Sequence, residues 1–280
     1  IGNLNNHIGV PLTLLSFDTT TEIGIVEMGA NHQKEIEMLC EICQPDFGYI
    51  TNFGKAHLEG FGGTEGVIKG KSELYEYLSS NQKTAFVNSD DAIQNEKTTN
   101  INRITFGINN TANFVNITKI ETNPMVKIEF KNTTIQSHLI GLYNANNINA
   151  AIAIGKHFGV SNEKIKFGLE NYIPNNNRSQ LLDKNSNKII LDAYNANPSS
   201  MNAALTNFFQ LKEKNKVAIL GDMFELGIES SDEHKKLIEF CFNQEDITFY
   251  FIGKDFFAHK NSNINMHFYE TFEIFKTNFS

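Results

Sequence analysis

The sequence predicts an α/β fold in two parts, each built on a parallel sheet flanked by helices. Apolar, β-rich runs alternate with amphipathic helical runs along most of the 280 residues, which is typical of parallel strands with helical crossovers. Several of these apolar runs are followed directly by a polar residue, as expected at the ligand-binding edge of such a sheet. A polar segment at 174–177 interrupts the alternation. We therefore expect one domain over 1–176 and a second over 177–280.

The first predicted domain begins as an alternating α/β unit and then changes character. Strands are predicted at 23–28, 47–52 and 84–88, and helices near 33–44 and 64–79. From about Arg103 to Ile140 the pattern changes to consecutive strands, which indicates an antiparallel patch at 114–120, 126–130 and 134–140. A further helix is predicted to begin at Asn144.

The second predicted domain repeats the α/β alternation and is expected to be Rossmann-like. Its predicted elements are strand 188–192, helix 198–213, strand 216–220, helix 231–243 and strand 247–252. Asn197 and Pro198 are typical of the cap and first residue of a helix. The tail after Gly253 is weakly patterned, so we expect this domain to be truncated.

Composition excludes several classes of function. The net charge of -8 argues against a general nucleic-acid binder, and no basic run suggests a membrane surface. No apolar stretch is long enough to span a bilayer. Three cysteines fit a reducing cytoplasm better than a disulfide framework. With 40% hydrophobic and 20% charged residues, the chain has the composition of an ordinary globular protein with room for two cores.

Three residues of the first domain predict a cation site. Glu27 and His57 each lie where an apolar run gives way to a polar, glycine-containing segment, so we expect both at the carboxyl edge of the sheet. Lys71 lies on the helix that follows, within one apolar helical face made of Val67, Leu74, Tyr75 and Leu78. Burying an ammonium is costly unless it is paired or loses its charge. A carboxylate, an imidazole and a buried amine therefore indicate a bound cation.

Each residue also has a purely structural interpretation. Glu27 could cap or salt-bridge at a strand end, His57 could be an ordinary loop histidine, and Lys71 could extend its ammonium to solvent. Two other motifs are rejected as sites. The run 66–72 resembles a phosphate-binding loop but is one residue short and sits inside a helix. The C-x-x-C at 40–43 lies at a helix end, where the dipole disfavours a thiolate, and predicts packing cysteines.

Four motifs carry a resemblance to a known family. They are GNLNN…GVPLT (2–13), EMGANH (27–32), AHLEGFG (56–62) and DAYNANP (192–198). In this order they resemble the Mur ligases, most closely the type that joins D-alanyl-D-alanine to UDP-N-acetylmuramoyl-tripeptide through an acyl phosphate. The resemblance runs to about Gly253 and implies a central ATPase domain followed by a C-terminal ligase domain. It also implies a cytoplasmic, monomeric enzyme of peptidoglycan synthesis.

The resemblance assigns roles to the three cation-site residues. In the family, the residues at the positions of Glu27 and His57 bind Mg²⁺, and the lysine matching Lys71 is carbamylated so that its new carboxylate helps to hold the metal. Apolar burial suits this chemistry, because only a neutral amine attacks carbon dioxide and burial lowers a lysine pKa. Histidine is an atypical ligand for Mg²⁺, so the residue types favour Mn²⁺ equally.

The resemblance also implies nucleotide contacts. Asn144 and Asn147 match the asparagines that face adenine, and Arg178 and Asp192 match residues that reach ATP. Taken alone, the two asparagines are equally consistent with a helix cap and a surface amide. A guanidinium such as that of Arg178 can neutralise charge that develops during phosphoryl transfer.

The family's phosphate-binding loop is expected just before Ile1, so we interpret the chain as a fragment. By itself it is expected to bind ATP weakly and to have no ligase activity. Two alternatives stay open. The chain could come from another enzyme of the superfamily, either a different Mur ligase or one similar to folylpolyglutamate synthetase, or it could be a non-catalytic remnant.

Overall fold

The computed structural model describes residues 3–122, 124–175 and 177–279. The chain divides into two units by its internal contacts. The first unit runs to Glu121 and includes Lys127–Ser137 and Asn144–Asn171, and the second holds Thr122–Val126, His138–Tyr143 and the chain from Tyr172. The domain boundary between 176 and 177 stays a prediction. Residue 176 of the predicted linker and residues 1 and 2, where the opening motif starts, lie outside the described residues.

A four-stranded parallel sheet with strand order β1-β2-β3-β4 forms the framework of the first unit. Its strands are β1 (Phe47–Tyr49), β2 (Thr84–Asn88), β3 (Asn102–Ile108) and β4 (Val115–Ile117). The helices of this part of the chain are α1 (Gly9–Leu15), α2 (Glu35–Cys43), α3 (Leu58–Phe61), α4 (Thr64–Ser80), α5 (Ala92–Lys97), α6 (Leu142–His157) and α7 (Asn162–Glu170). Side chains of α4 and β2 share one core with Ile50, the residue directly after β1.

A three-stranded sheet follows, with β5 (Lys119–Thr122), β6 (Met125–Phe130) and β7 (Thr133–Ile140) in chain order. The two residues between β6 and β7, Lys131 and Asn132, both have positive φ (42° and 62°). Two-residue turns of this kind connect antiparallel strands, because their twist matches that of the hairpin. The predicted antiparallel patch is therefore present in this segment.

The second unit contains a hairpin and a three-stranded parallel sheet. Strands β8 (Gln180–Lys184) and β9 (Asn187–Leu191) pair antiparallel, and β10 (Lys216–Gly221), β11 (Ile247–Ile252) and β12 (Met266–Tyr269) pair in parallel. The helices are α8 (Pro198–Phe209), α9 (Ser230–Cys241), α10 (Lys254–Phe257) and α11 (Phe272–Asn278). Parallel strands with helical crossovers in both units confirm the predicted α/β class.

Several sequence predictions are confirmed in detail. The run 66–72 lies inside α4, which confirms the prediction that it is helical and not a phosphate-binding loop. Asn197 caps α8 in a reciprocal capping box with Ser200, and Pro198 is the first helical residue. Cys40 and Cys43 lie in the last turn of α2, where burial raises the pKa of the Cys40 thiol to about 12 and also raises that of Cys43. Both are therefore packing thiols rather than reactive ones.

The predicted strand 23–28 is wrong, because this segment belongs to no sheet. A strand requires a neighbour that exchanges backbone hydrogen bonds along its length. Among the described residues, the backbone from 23 to 30 makes one such bond to another segment, from Gly29 N–H to Asn5 O at 2.7 Å. Glu27 therefore lies in a segment outside any sheet and not at the end of a ladder strand.

Other differences have a common cause. The antiparallel patch expected from Arg103 begins only at Lys119, since β3 and β4 pair in parallel. The single strand expected at 114–120 is divided between β4 and β5. The predicted strand 47–52 ends at Tyr49, and the predicted helix 198–213 ends at Phe209. Strand β8 was not predicted, and the tail after Gly253 forms α10, β12 and α11. Apolar periodicity reports burial, but it does not identify the pairing partner or its direction.

In the part of the chain that the structure describes, no helix combines the length and the apolar character needed to cross a membrane.

Candidate active site

Glu27 lies in a segment in which alternate residues are packed against the helices. Val26, Met28 and Ala30 contact the apolar cluster beneath α1 and α2. Glu27, which lies between Val26 and Met28, is itself exposed. Its Oε1 accepts a hydrogen bond from Asn5 Nδ2 at 3.1 Å. The opening Asn-rich motif therefore orients the carboxylate that the sequence predicts as a metal ligand.

The loop after Glu27 is closed by the first residue of α2. Backbone N–H groups of Asn31 and His32 donate to Glu35 Oε2 at 2.7 and 3.2 Å. Although partial burial acts to raise the pKa of Glu35, these two bonds and the His32 ring outweigh it and lower that pKa. His32 Nδ1 lies 3.5 Å from Glu35 Oε1, so its ring belongs to this local network.

His57 occupies the cap position before α3, and this helix packs directly against the backbone of the same loop. His57 has left-handed backbone angles, with φ 55° and ψ 36°. Three residues later, a Cβ added to Gly60 would lie 2.2 Å from the carbonyl oxygen of Asn31. Glycine is therefore required for this close approach. The contact brings the helix that follows His57 against the loop that follows Glu27.

Lys71 lies on α4 beside the segment that precedes His57. Its Nζ donates to the carbonyl oxygen of Asn52 at 2.8 Å, and the side chain is half-buried. Burial lowers the pKa of Lys71 to about 8. The neutral amine is therefore readily reached near physiological pH, as the sequence argument required.

The donor set decides what this group of residues can hold. Within the described residues, no three His, Cys, Asp or Glu side chains are placed together as a metal site. Glu27 and His57 supply one carboxylate and one imidazole, and protonated Lys71 supplies no lone pair. A carboxylate on Lys71 would add the hard oxygen donor that a divalent cation needs. The set therefore fits Mg²⁺ or Mn²⁺ when Lys71 is carbamylated, and the site stays a prediction.

Arg178 and Asp192 lie at the same end of the β8–β9 hairpin in the second unit. Asp192 Oδ1 accepts the Ser179 N–H at 3.1 Å, and its Oδ2 lies 3.4 Å from the Tyr143 hydroxyl. That hydroxyl also lies 2.5 Å from Ser179 Oγ. Arg178 is exposed and stacks over the Tyr194 ring at 4.0 Å. Asp192 thus anchors the backbone next to Arg178, which leaves the guanidinium available to an anion.

Asn144 and Asn147 contact each other on α6. The helix begins at Leu142, so the interpretation of Asn144 as a helix cap is wrong. Asn144 is buried, while Asn147 is exposed and its Nδ2 donates to Asn144 Oδ1 at 3.2 Å. Their proposed contact with adenine stays a prediction.

His234 is a structural residue of the second unit. It is fully buried, and its Nε2 accepts the Met223 N–H at 3.0 Å. The proton therefore lies on Nδ1, which donates to the Ser230 carbonyl at 2.7 Å. Both ring nitrogens are used to hold the loop after β10 against α9, so the ring has no nitrogen left for a substrate.

Asp222 is likewise committed to a helix start. Its two carboxylate oxygens accept the N–H groups of Asp255 and Phe256, each at 3.0 Å, at the beginning of α10. Gly253 has φ 132°, and a Cβ there would lie 2.1 Å from the Asp222 carboxyl group. An aspartate after one strand and a glycine after the next are the sequence signals for this loop-to-helix contact.

Comparison with known proteins identifies relatives of both parts of the chain. The family models described as Mur ligase middle domain and as Mur ligase, glutamate ligase domain match residues 1–155 and 177–269. UDP-N-acetylmuramoyl-tripeptide–D-alanyl-D-alanine ligase of Bacillus subtilis is 34% identical over 84% of this chain and 52% of that protein. The Escherichia coli ligase of the same name is 33% identical over 85% and 54%. The chain therefore spans about half the length of these relatives.

Solved structures give the same result for the fold. A crystal structure of MurF from Acinetobacter baumannii matches with a TM-score of 0.86 at 31% identity, covering 97% of this chain and 60% of that one. MurF from Thermotoga maritima, in complex with ADP, matches with a TM-score of 0.81 at 24% identity, covering 96% and 63%.

Proposed function

The chain belongs to the Mur ligase family, and we propose that it is the middle and C-terminal part of an ATP-dependent ligase that joins D-alanyl-D-alanine to UDP-N-acetylmuramoyl-tripeptide. The observation that carries the proposal is the match, across both family domains, to ligases named for this reaction. The arrangement of Lys71 supports it, because a half-buried amine with a lowered pKa lies beside the segment leading to His57. Such an amine suits carbamylation better than a surface role.

The proposed reaction forms one amide bond at the expense of one ATP. The terminal carboxylate of the tripeptide attacks the γ-phosphorus of ATP, the bond to ADP breaks, and an acyl phosphate forms. The amine of D-alanyl-D-alanine then attacks the acyl carbon, inorganic phosphate leaves, and the amine loses a proton to solvent. Carboxylate and triphosphate repel each other, and a bound Mg²⁺ neutralises part of that charge.

The residues of this chain divide that work. Glu27, His57 and carbamylated Lys71 hold the divalent cation, with Mn²⁺ as an alternative to Mg²⁺. Asn144 and Asn147 bind the adenine, an assignment that rests on the family motif and on the exposed amide of Asn147. Arg178 stabilises phosphate charge, and Asp192 positions it through the Ser179 N–H. The contacts assigned to the cation, the adenine and the phosphate come from different elements of the chain, so each can be tested separately. This division suits a ligand with several parts, such as ATP.

We place this reaction in the cytoplasm, with the protein acting as a monomer. ATP and a reducing environment are both present there. Cys40, Cys43 and Cys241 are free thiols, which agrees with a compartment in which disulfides do not persist.

Carbamylation of Lys71 is directly measurable on the 280-residue chain. The neutral Nζ attacks the carbon of carbon dioxide and an N–C bond forms. The π-electron pair of one C=O bond moves onto its oxygen, which gives the carboxylate, and the proton released from the nitrogen goes to solvent. Under a fixed pressure of ¹³CO₂, a carbamate ¹³C NMR signal is expected to grow as the pH rises through about 8, the pKa of Lys71. Lys71→Arg should remove this signal, whereas Lys69→Arg, an exposed lysine of the same helix, should keep it. Retention of the signal in Lys71→Arg would contradict the assignment.

The proposed reaction is tested in a protein that joins this chain to a phosphate-binding loop. With ATP, UDP-N-acetylmuramoyl-tripeptide and D-alanyl-D-alanine, we expect one ADP and one phosphate for each amide formed, measured by coupled assay and mass spectrometry. Product formation with glutamate or another amino acid instead of the dipeptide would identify a different ligase of the superfamily. No product with any of these amines would favour a non-catalytic remnant.

A further inference from the structure

Glu73 is a buried carboxylate between two helices of the first unit. It lies on α4 with 4% of its surface exposed. Its Oε1 accepts the backbone N–H of Lys34 at 2.6 Å, and its Oε2 accepts that of Glu37 at 3.0 Å. Both donors belong to the start of α2, so a side chain of one helix caps another helix.

The start of α2 has no cap of its own. Lys34 occupies the cap position with φ 70°, and no side chain from its own turn accepts a bond from the helix amides. The first N–H groups of a helix need acceptors, and a negative charge is favourable there because of the helix dipole. Burial of a carboxylate is tolerated when two N–H groups satisfy it. Glu73 therefore fixes the position of α2 against α4 through two charge-assisted bonds.

Two members of the proposed cation site depend on the positions of these two helices. Glu27 projects from a segment that packs on α2 through Val26 and Met28. Lys71 lies on α4, two residues before Glu73. A displacement of α2 along α4 would therefore move the Glu27 carboxylate relative to Lys71. A second hydrogen bond, from Gln33 Nε2 to the carbonyl oxygen of Gly66 at 2.6 Å, also holds the start of α2 against α4.

We propose that Glu73 is a positioning residue that sets the separation between Glu27 and Lys71, and so determines the affinity of the site for a divalent cation. The inference rests on the proposed function, because it takes the cation site from there. Glu73 does not itself contact the cation. Its two oxygens are used by the amides of α2, and its effect passes through that helix.

The test is Mn²⁺ binding to the 280-residue chain in bicarbonate buffer, followed by electron paramagnetic resonance. Glu73→Gln keeps the shape of the side chain but leaves one acceptor oxygen, while its NH₂ group opposes the second N–H. We expect a rise of about tenfold or more in the dissociation constant, within the range seen when partners that orient metal ligands are lost. Glu76→Gln, an exposed glutamate of the same helix, is the matched control and should leave the constant unchanged.

Amide hydrogen exchange supplies a second measurement that separates the contact from the site. Glu73→Gln should speed exchange at Lys34 and Glu37 while the far-ultraviolet circular dichroism stays that of the wild type. Faster exchange at these amides with an unchanged Mn²⁺ affinity would show that Glu73 only caps α2, and would overturn the proposal. If Glu73→Gln does not fold, Glu73→Asp replaces it, because it keeps the charge and shortens the side chain by one methylene. That variant should weaken Mn²⁺ binding by less than Glu73→Gln is expected to, and an unchanged affinity would again overturn the proposal.

Glu27→Ala distinguishes this inference from the proposed function. The cation site itself is wrong if the wild-type chain binds no Mn²⁺, or if Glu27→Ala leaves its Mn²⁺ binding unchanged. In either case the role of Glu73 fails with it. If Glu27→Ala removes Mn²⁺ binding and Glu73→Gln leaves it unchanged, the site stands and only the positioning role is wrong.

Discussion

Replacing Lys71 by alanine is expected to lower the turnover of a ligase containing this chain by about 10²–10³-fold, the range found when one preorganised electrostatic group is removed from an active site. The reason is loss of the carbamate oxygen and of the cation that it helps to hold. Acetate or formate added to Lys71→Ala should restore part of the activity, because a small carboxylate fits the vacated position. Turnover is measured as phosphate release that depends on D-alanyl-D-alanine.

Lys71→Arg separates the carbamate from a simple positive charge. A guanidinium stays protonated and cannot react with carbon dioxide, so this variant should be as inactive as alanine and should not respond to acetate. Lys69→Arg on the exposed face of α4 should retain wild-type turnover. Full activity in Lys71→Arg would end the carbamate hypothesis and return Lys71 to a packing role.

Gly60→Ala is expected to lower the free energy of unfolding by about 1–3 kcal/mol, the usual cost of overpacking. The added Cβ would lie 2.2 Å from the Asn31 carbonyl oxygen, and a backbone atom cannot rotate away as a side chain can. Relief of the clash would separate α3 from the loop after Glu27, so Mn²⁺ affinity should fall as well. Urea unfolding measures the first effect and electron paramagnetic resonance the second.

Gly168→Ala is the matched control, since Gly168 also lies within a helix of the first unit. A Cβ there would meet no atom within 4 Å apart from its chain neighbours and the nearby backbone of its own helix. Alanine is the better helix former, so this variant should be neutral or more stable by up to about 1 kcal/mol. The two substitutions are therefore expected to have opposite signs. A stabilising Gly60→Ala would show that α3 does not need this close contact.

Residues with a strong local pattern were predicted well. The apolar face of α4 follows the helical period from Val67 to Leu78, and this placed Lys71 correctly on a half-buried helix. Asn197 and Pro198 marked the start of α8 because capping uses atoms only three residues apart. Such features depend on neighbours in the chain, so their signals can be found without knowledge of the fold.

Pairing of distant segments was predicted poorly. The segment 23–28 has the composition of a strand, but within the described residues no neighbour pairs along it. Strand β4, which belongs to the predicted antiparallel patch, pairs in parallel with β3, since alternating burial looks the same in either direction. Strand β8 was not found because five residues with one polar end carry little periodic signal.

The sequence by itself determined the α/β class, the helical face that carries Lys71, and the motifs that identify the family. The tertiary structure alone decided how the candidate site is held together. Glu73 caps a helix 36 residues away at Glu37, and Gly60 meets the backbone at Asn31. Neither contact leaves a periodic pattern, because each depends on one atom-to-atom approach between segments that folding brings together. Local propensity is encoded in neighbouring residues, whereas such contacts exist only after the core has formed.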